Sequence, residues 1–174
     1  MENVLVLIDI QKEYTTKGRP FVIESIASSL ENCRKCLDYA RKNRWSIAHV
    51  RHLQEGEIFN ASNPYSEYVD GFNALHGEAE FVKSNFSCFS SEDFCSFMGQ
   101  RKNDRIYIVG YGSTMCCIST IIDGFHKGFN LTYIHDASAA KKGLFDESST
   151  HAHATEIIST FARVMNTGEL IGHR

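Results

Sequence analysis

The chain has 174 residues, 43% of them apolar and 22% charged, with a formal net charge of −3. That length supports one sizeable core and is short for two domains, and the slight acidity gives no basic surface of the kind nucleic acid requires. No apolar run approaches the roughly 20 residues that span a bilayer. The opening MENVLVLIDIQ lacks the basic region and small-residue cleavage site of an export signal. We therefore expect a single domain over residues 1–174, cytoplasmic, with no membrane or nucleic-acid partner. In that compartment the six cysteines are expected to stay reduced.

Residues 4–10 form an apolar, β-branched run of strand length, expected as a buried first strand. Residues 21–42 follow a helical period through Val22, Ile26, Leu30, Cys33, Leu37 and Ala40, with Pro20 just ahead of it. The Cys33-x-x-Cys36 pair falls inside this helix and reads as buried small hydrophobes rather than as a redox or metal pair. A second strand follows at 46–51. Residues 52–78 are irregular, rich in glycine and aromatics, and a loop of that length in a compact domain is usually a lid or an interface. A short strand is expected at 80–83, and then a helix opening at Ser91, whose hydroxyl can cap it.

Residues 105–110 give a clear strand ending in glycine, followed by a helix over 114–127 that stops at Gly128. The next strand is expected at 131–135, the last long helix at 149–163, and a final short strand at 164–165. Strands alternating with helices predict a three-layer α/β/α architecture. Its sheet is mostly parallel and Rossmann-like, of about five or six strands with helices on both faces. Ligands of such sheets bind at the carboxyl ends of the strands.

Three of those ends carry reactive groups. Asp9 closes the first apolar strand, Lys83 closes the third, and Gly110-Tyr-Gly-Ser-Thr-Met-Cys116 leads from the fourth into a helix. A charge at the end of a buried strand is costly unless paired, and Asp9 and Lys83 can pair with each other. Cys116 falls in the first turn of the helix, where the macrodipole and a nearby ammonium are expected to lower a thiol pKa. The glycines of Gly110-Tyr-Gly112 permit a tight turn whose amides can form an oxyanion hole. Cys117 points about 100° away around the helix and reads as core.

The strand VLVLIDIQ, the lysine of FVKSNFSCF and VGYGSTMCCISTIIDGFHKGF followed by YIHDAS together resemble the isochorismatase-like cysteine hydrolases. That family includes nicotinamidases, carbamoyl-amide hydrolases and isochorismatases. The resemblance implies a triad of Asp9, Lys83 and Cys116, an oxyanion hole from the backbone of Gly112 and Cys116, and a cis peptide at Tyr111–Gly112. It implies a small-molecule substrate, no cofactor, and a homodimer or homotetramer. The aromatic-rich 53–75 segment is expected to bury against another subunit. Gln11, next but one to Asp9, is expected to orient it or line the pocket, with Tyr14, Phe59 and Tyr111 as the substrate wall.

The chain also departs from the family. Where nicotinamidases carry an Asp-x-His metal motif after the second strand, it has His52 and Gln54, and His49 and His52 face opposite sides of a strand. No metal is therefore expected. Ser113 stands where threonine is commoner, and for His151 and His153 at the last helix an exposed or capping role suffices. Retention of Cys116 favours a metal-independent hydrolase of a small carboxamide, carbamoyl or ureido compound, working through a thioester. The alternatives are an isochorismatase-type vinyl-ether hydrolase and a catalytically silent, oligomeric binding protein. A papain-like Cys–His protease has the wrong alternation of elements.

Overall fold

The structure is a computed structural model and describes residues 1–172; the last two residues of the expected 1–174 domain lie outside those described. In chain order the elements are β1 (Asn3–Ile8), α1 (Lys12–Thr15), α2 (Ala27–Lys42), β2 (Ser46–His52), β3 (Ala79–Lys83) and α3 (Glu92–Gly99). They continue with β4 (Arg105–Tyr111), α4 (Ile118–His126), β5 (Asn130–Ala139), α5 (Glu147–Ile158), β6 (Arg163–Met165) and α6 (Thr167–Gly172). The strands form one sheet in the order β3-β2-β1-β4-β5-β6, and every neighbouring pair is parallel.

Alternation along β1 builds two cores. Leu5 and Leu7 face a cluster with Cys33, Leu37 and Ala40 of α2 and Leu170 of α6. Val4, Val6 and Ile8 face one with Phe94 and Met98 of α3, Ile121 of α4 and Ile158 of α5. Helices thus cover both faces, as a parallel sheet requires.

The largest departure from expectation is at α2, which begins at Ala27 although its apolar period starts six residues earlier. The amides just ahead of it are taken elsewhere. Ile23 N–H donates to the Tyr14 carbonyl, while those of Glu24 and Ser25 donate to the Glu147 carboxylate at 2.7 and 2.9 Å. α5 is capped by Asp146, which accepts from Ser149 N–H at 2.8 Å, and it ends at Ile158, short of the expected 163. β5 runs on to Ala139, because past a register shift its end pairs again with β4. The four-residue α1 and the six-residue α6 were not foreseen.

The long segment after β2 folds back over the carboxyl end of the sheet. Leu53 N–H donates to the Lys83 carbonyl, Val69 N–H to that of Ile10, and Tyr68 forms a bridge with Gln11. Its aromatics Phe59, Tyr68 and Phe72 are buried within this chain. The burial of these three aromatics is thus met within this chain, while Leu75 at the segment's end is exposed.

Candidate active site

From β1 the sheet grows one way through β2 and β3 and the other way through β4, β5 and β6, so its topological switch lies between β1 and β4. Asp9 follows β1 with φ 49, in the left-handed region, while its N–H stays bonded to the Val50 carbonyl at 2.9 Å. Beside it, β4 ends with Gly110 at φ 116, and a Cβ there would sit 2.0 Å from the Ile8 carbonyl oxygen. Only glycine admits this close approach of the two strand ends. The Tyr111–Gly112 peptide is cis, as the resemblance implied. The Gly112 carbonyl then accepts from both Met115 and Cys117 N–H, making the helix entry a wide turn over Ser113–Cys117.

Lys83 pairs in register with His52 on β2, two strands away from β1. Its flexible four-carbon stem spans that gap. Nζ lies 2.9 Å from Asp9 Oδ2, 3.2 Å from Cys116 Sγ, 3.0 Å from His52 Nδ1 and 3.1 Å from the Asn85 carbonyl. Asp9, Lys83 and Cys116 are 0%, 2% and 4% exposed. The three sequence-predicted residues therefore meet in one closed, water-poor cluster, brought together from three strand ends.

Electrostatics there differ from the expectation in one respect. Burial and the adjacent Asp9 carboxylate push the Cys116 thiol well above its usual range, and Lys83 only partly offsets this. Cys116 is favoured as the thiol, because desolvation of a thiolate outweighs one ammonium already shared with a carboxylate. Burial alone would also lower the Lys83 pKa, but Asp9 and then Cys116 raise it, so the ammonium stays charged. Cys117 is fully buried, with its thiol pushed up by burial, as expected of a core residue. Cys33 and Cys36 are free buried thiols, and burial carries Cys36 to about 12.

The remaining candidates frame the cluster. Gln11 donates to the His52 and Ser66 carbonyls at 3.0 and 2.8 Å and accepts from His52 N–H at 3.0 Å. Its side chain thus ties the covering loop to β2 instead of bonding Asp9. Tyr14 packs against Phe59 and Tyr111, with ring centroids 5.6 Å apart in both cases. Phe59 in turn meets the His52 ring at 5.2 Å. The Tyr111 hydroxyl, however, is turned into the α2 face, 2.9 Å from Ser29 Oγ.

Two arrangements were not foreseen. His52 was read only as a departure from a metal motif, yet its Nδ1 accepts from the Lys83 ammonium at 3.0 Å. His151, expected to be exposed or capping, is partly buried and lies 2.9 Å from both Ser113 Oγ and the His135 carbonyl. Nothing in local periodicity places residue 151 against residue 113; only the pairing of β4 with β5 brings them together.

The donor set also bears on a metal. Among the described residues, Asp9, His52 and Cys116 offer three ligand atoms within 4.8 Å of one another. The Lys83 ammonium hydrogen-bonds or pairs with all three. An ammonium only donates, so His52 Nδ1 accepts and its Nε2–H donates to Gln54 Oε1 at 2.8 Å. His49 faces the other side and bonds Glu78. These residues do not fit a nicotinamidase-type metal site, since both His52 nitrogens are engaged and the cluster already holds a cation.

Known proteins resemble the chain over most of its length. Nicotinamidase 3 of Arabidopsis thaliana is 22% identical over 174 residues, covering 95% of this chain and 85% of that protein. Maleamate amidohydrolase of Pseudomonas putida is 19% identical over 148 residues, covering 76% and 70%. The crystal structure of an isochorismatase from Pseudomonas putida KT2440 superposes with a TM-score of 0.89 at 25% identity, covering 97% of this chain and 89% of that one. The isochorismatase domain model itself matches residues 3–169, nearly the whole sheet and its helices. The chain belongs to the isochorismatase family and is a hydrolase.

Proposed function

We propose that this hydrolase cleaves a C–N bond of a small carboxamide, carbamoyl or ureido compound through a thioester on Cys116, without a metal. The observation that carries the reading is the single ammonium of Lys83 bridging the Asp9 carboxylate and the Cys116 thiol at 2.9 and 3.2 Å. The named activities of two relatives, a nicotinamidase and a maleamate amidohydrolase, are amide hydrolyses of the same kind.

Asp9 takes the Sγ proton as sulfur attacks the planar carbonyl carbon, and Lys83 follows the charge from carboxylate to thiolate. The electron pair of the C=O π bond moves to oxygen, where the N–H groups of Gly112 and Cys116 form the oxyanion hole. Asp9 then returns the proton to the departing nitrogen, and ammonia or an amine leaves. Water, deprotonated by Asp9, attacks the thioester and frees the acid and the thiol. Gln11, Tyr14, Phe59 and Tyr111 supply the frame and wall around the bound substrate. Because the resting thiol is protonated, attack and proton transfer are coupled, and substrate arrival triggers the nucleophile.

Ammonia release from a panel of small amides, carbamoyl compounds and ureides tests this after treatment with a chelator. Wild type is expected to keep its rate on chelation, and Cys116→Ala to lose at least about 10³-fold. Equal release by both proteins would remove Cys116 as nucleophile. Loss of the wild-type rate on chelation would remove the metal-free reading.

A further inference from the structure

The turn that carries Gly112 is tied down on both sides of the sheet. Tyr111, before it, has its hydroxyl 2.9 Å from Ser29 Oγ on α2. Ser113, after it, has its hydroxyl 2.9 Å from His151 Nδ1 on α5. The other ring nitrogen, Nε2, faces the His135 carbonyl at 2.9 Å. A carbonyl only accepts, so Nε2 carries the proton. Burial lowers the His151 pKa, so at neutral pH the ring is uncharged and Nδ1 is an acceptor. Ser113 therefore donates to His151, and the imidazole relays that contact to the backbone of β5. Ser113 is fully buried, and it opens the wide turn whose fourth residue is Cys116.

We infer that Ser113 and His151 are a positioning pair, a two-bond strut from β5 that holds the Gly112–Cys116 amides at the spacing an oxyanion requires. The inference rests on the thioester reading above. Neither side chain touches substrate; both act through the turn. Loss of the strut lets the amides drift while sulfur, Asp9 and Lys83 stay in contact, since none of those three bonds to Ser113 or His151. The two functions of the site, nucleophile and oxyanion hole, are thereby separable.

Two probes of Cys116 separate them. Iodoacetamide alkylates sulfur and needs no oxyanion hole. Acetaldehyde adds to the thiol: an Sγ–C bond forms, the C=O π bond breaks, and the thiol proton passes by way of Asp9 to the oxygen lying in the hole. We would measure alkylation of Cys116 by mass spectrometry and the acetaldehyde dissociation constant by carbon NMR of the labelled aldehyde. The proteins are wild type, Ser113→Ala, Ser113→Thr and His151→Ala.

The adduct is expected to weaken about 10- to 100-fold in Ser113→Ala and His151→Ala while alkylation stays within about 3-fold. Ser113→Thr, which keeps the hydroxyl, is expected to bind the aldehyde as wild type does. Unchanged aldehyde affinity in Ser113→Ala overturns the inference. So does a parallel fall of alkylation and affinity in that variant, which would mark general loss of the turn. Wild type that is alkylated but forms no adduct would remove the oxyanion hole itself, and the pair's role with it. Failure of the amide reading would appear separately, as ammonia release that survives Cys116→Ala.

Discussion

Lys83 is the residue on which the site turns. It offers three protons to four acceptors: the Asp9 carboxylate, the Cys116 thiol, the His52 ring and the Asn85 carbonyl. Removing it strands a buried carboxylate, the costly half of a broken ion pair. Lys83→Met is expected to lose about 3–5 kcal/mol of stability, measured by chemical denaturation, and all measurable ammonia release. Combining it with Asp9→Asn removes the stranded charge. The double variant is expected to regain most of the stability and none of the activity, and a double variant as unstable as the single would refute the electrostatic account. Asp9, Lys83 and Cys116 were picked out as candidates because each ends a strand or opens a helix, and the family resemblance joined them into one set. His52 in its present role and His151 were not, because their partners are set by which strands lie side by side.

At the scale of elements, the strands and the order of alternation followed from periodicity, whereas helix starts did not. α2 starts late because Glu147, 123 and 122 residues away from Glu24 and Ser25, takes their amides, a competition invisible to a local pattern. A second long-range anchor lies where α2 meets β2. Arg41 bonds both Glu78 oxygens at 2.7 and 2.9 Å, His49 adds a bond at 2.8 Å and Leu75 N–H another at 2.9 Å. Burial opposes ionisation of Glu78, but Arg41, Leu75 and His49 together outweigh it and lower the carboxyl from 4.5 to about 2. A depressed carboxyl stabilises the fold above its unfolded pKa and loses that contribution as the pH falls through the folded one. The contribution is therefore complete above about pH 4.5 and fades towards pH 2, with a size on the order of 3 kcal/mol. Glu78→Gln is expected to flatten stability against pH in that window, as measured by urea denaturation. An unchanged acid limb would show that Arg41 and His49 contribute nothing through this carboxylate.

Across the whole molecule, the parallel sheet and its two covered faces were legible, but the order of its strands was not. The aromatics of residues 53–75 signalled burial, and Phe59, Tyr68 and Phe72 find it on their own chain, because a pattern records that a side chain leaves water and not which surface receives it. For the homodimer or homotetramer we propose, exposed apolar side chains elsewhere offer a contact surface. Leu144, Phe145, Ile157 and Phe125 are 100%, 57%, 50% and 46% exposed around α4 and α5. Light scattering at micromolar concentration is expected to give a multiple of the 19.7 kDa chain mass, reduced to one chain by Phe145→Asp with Ile157→Asp. A wild-type monomer would end that proposal. No helix among the described residues is long and apolar enough to cross a membrane.

The closed triad has one more consequence. In the proposed cycle the proton leaves sulfur for a carboxylate bound to the same ammonium, so ammonium, carboxylate and thiol become ammonium, carboxylic acid and thiolate. Total charge inside the cluster is zero before and after the transfer. The protein interior, which tolerates an added ion poorly, is never asked to hold one, and no counterion need enter from solvent. Burial that would disable a lone cysteine thus leaves this one able to react, because the step rearranges a dipole instead of creating a charge.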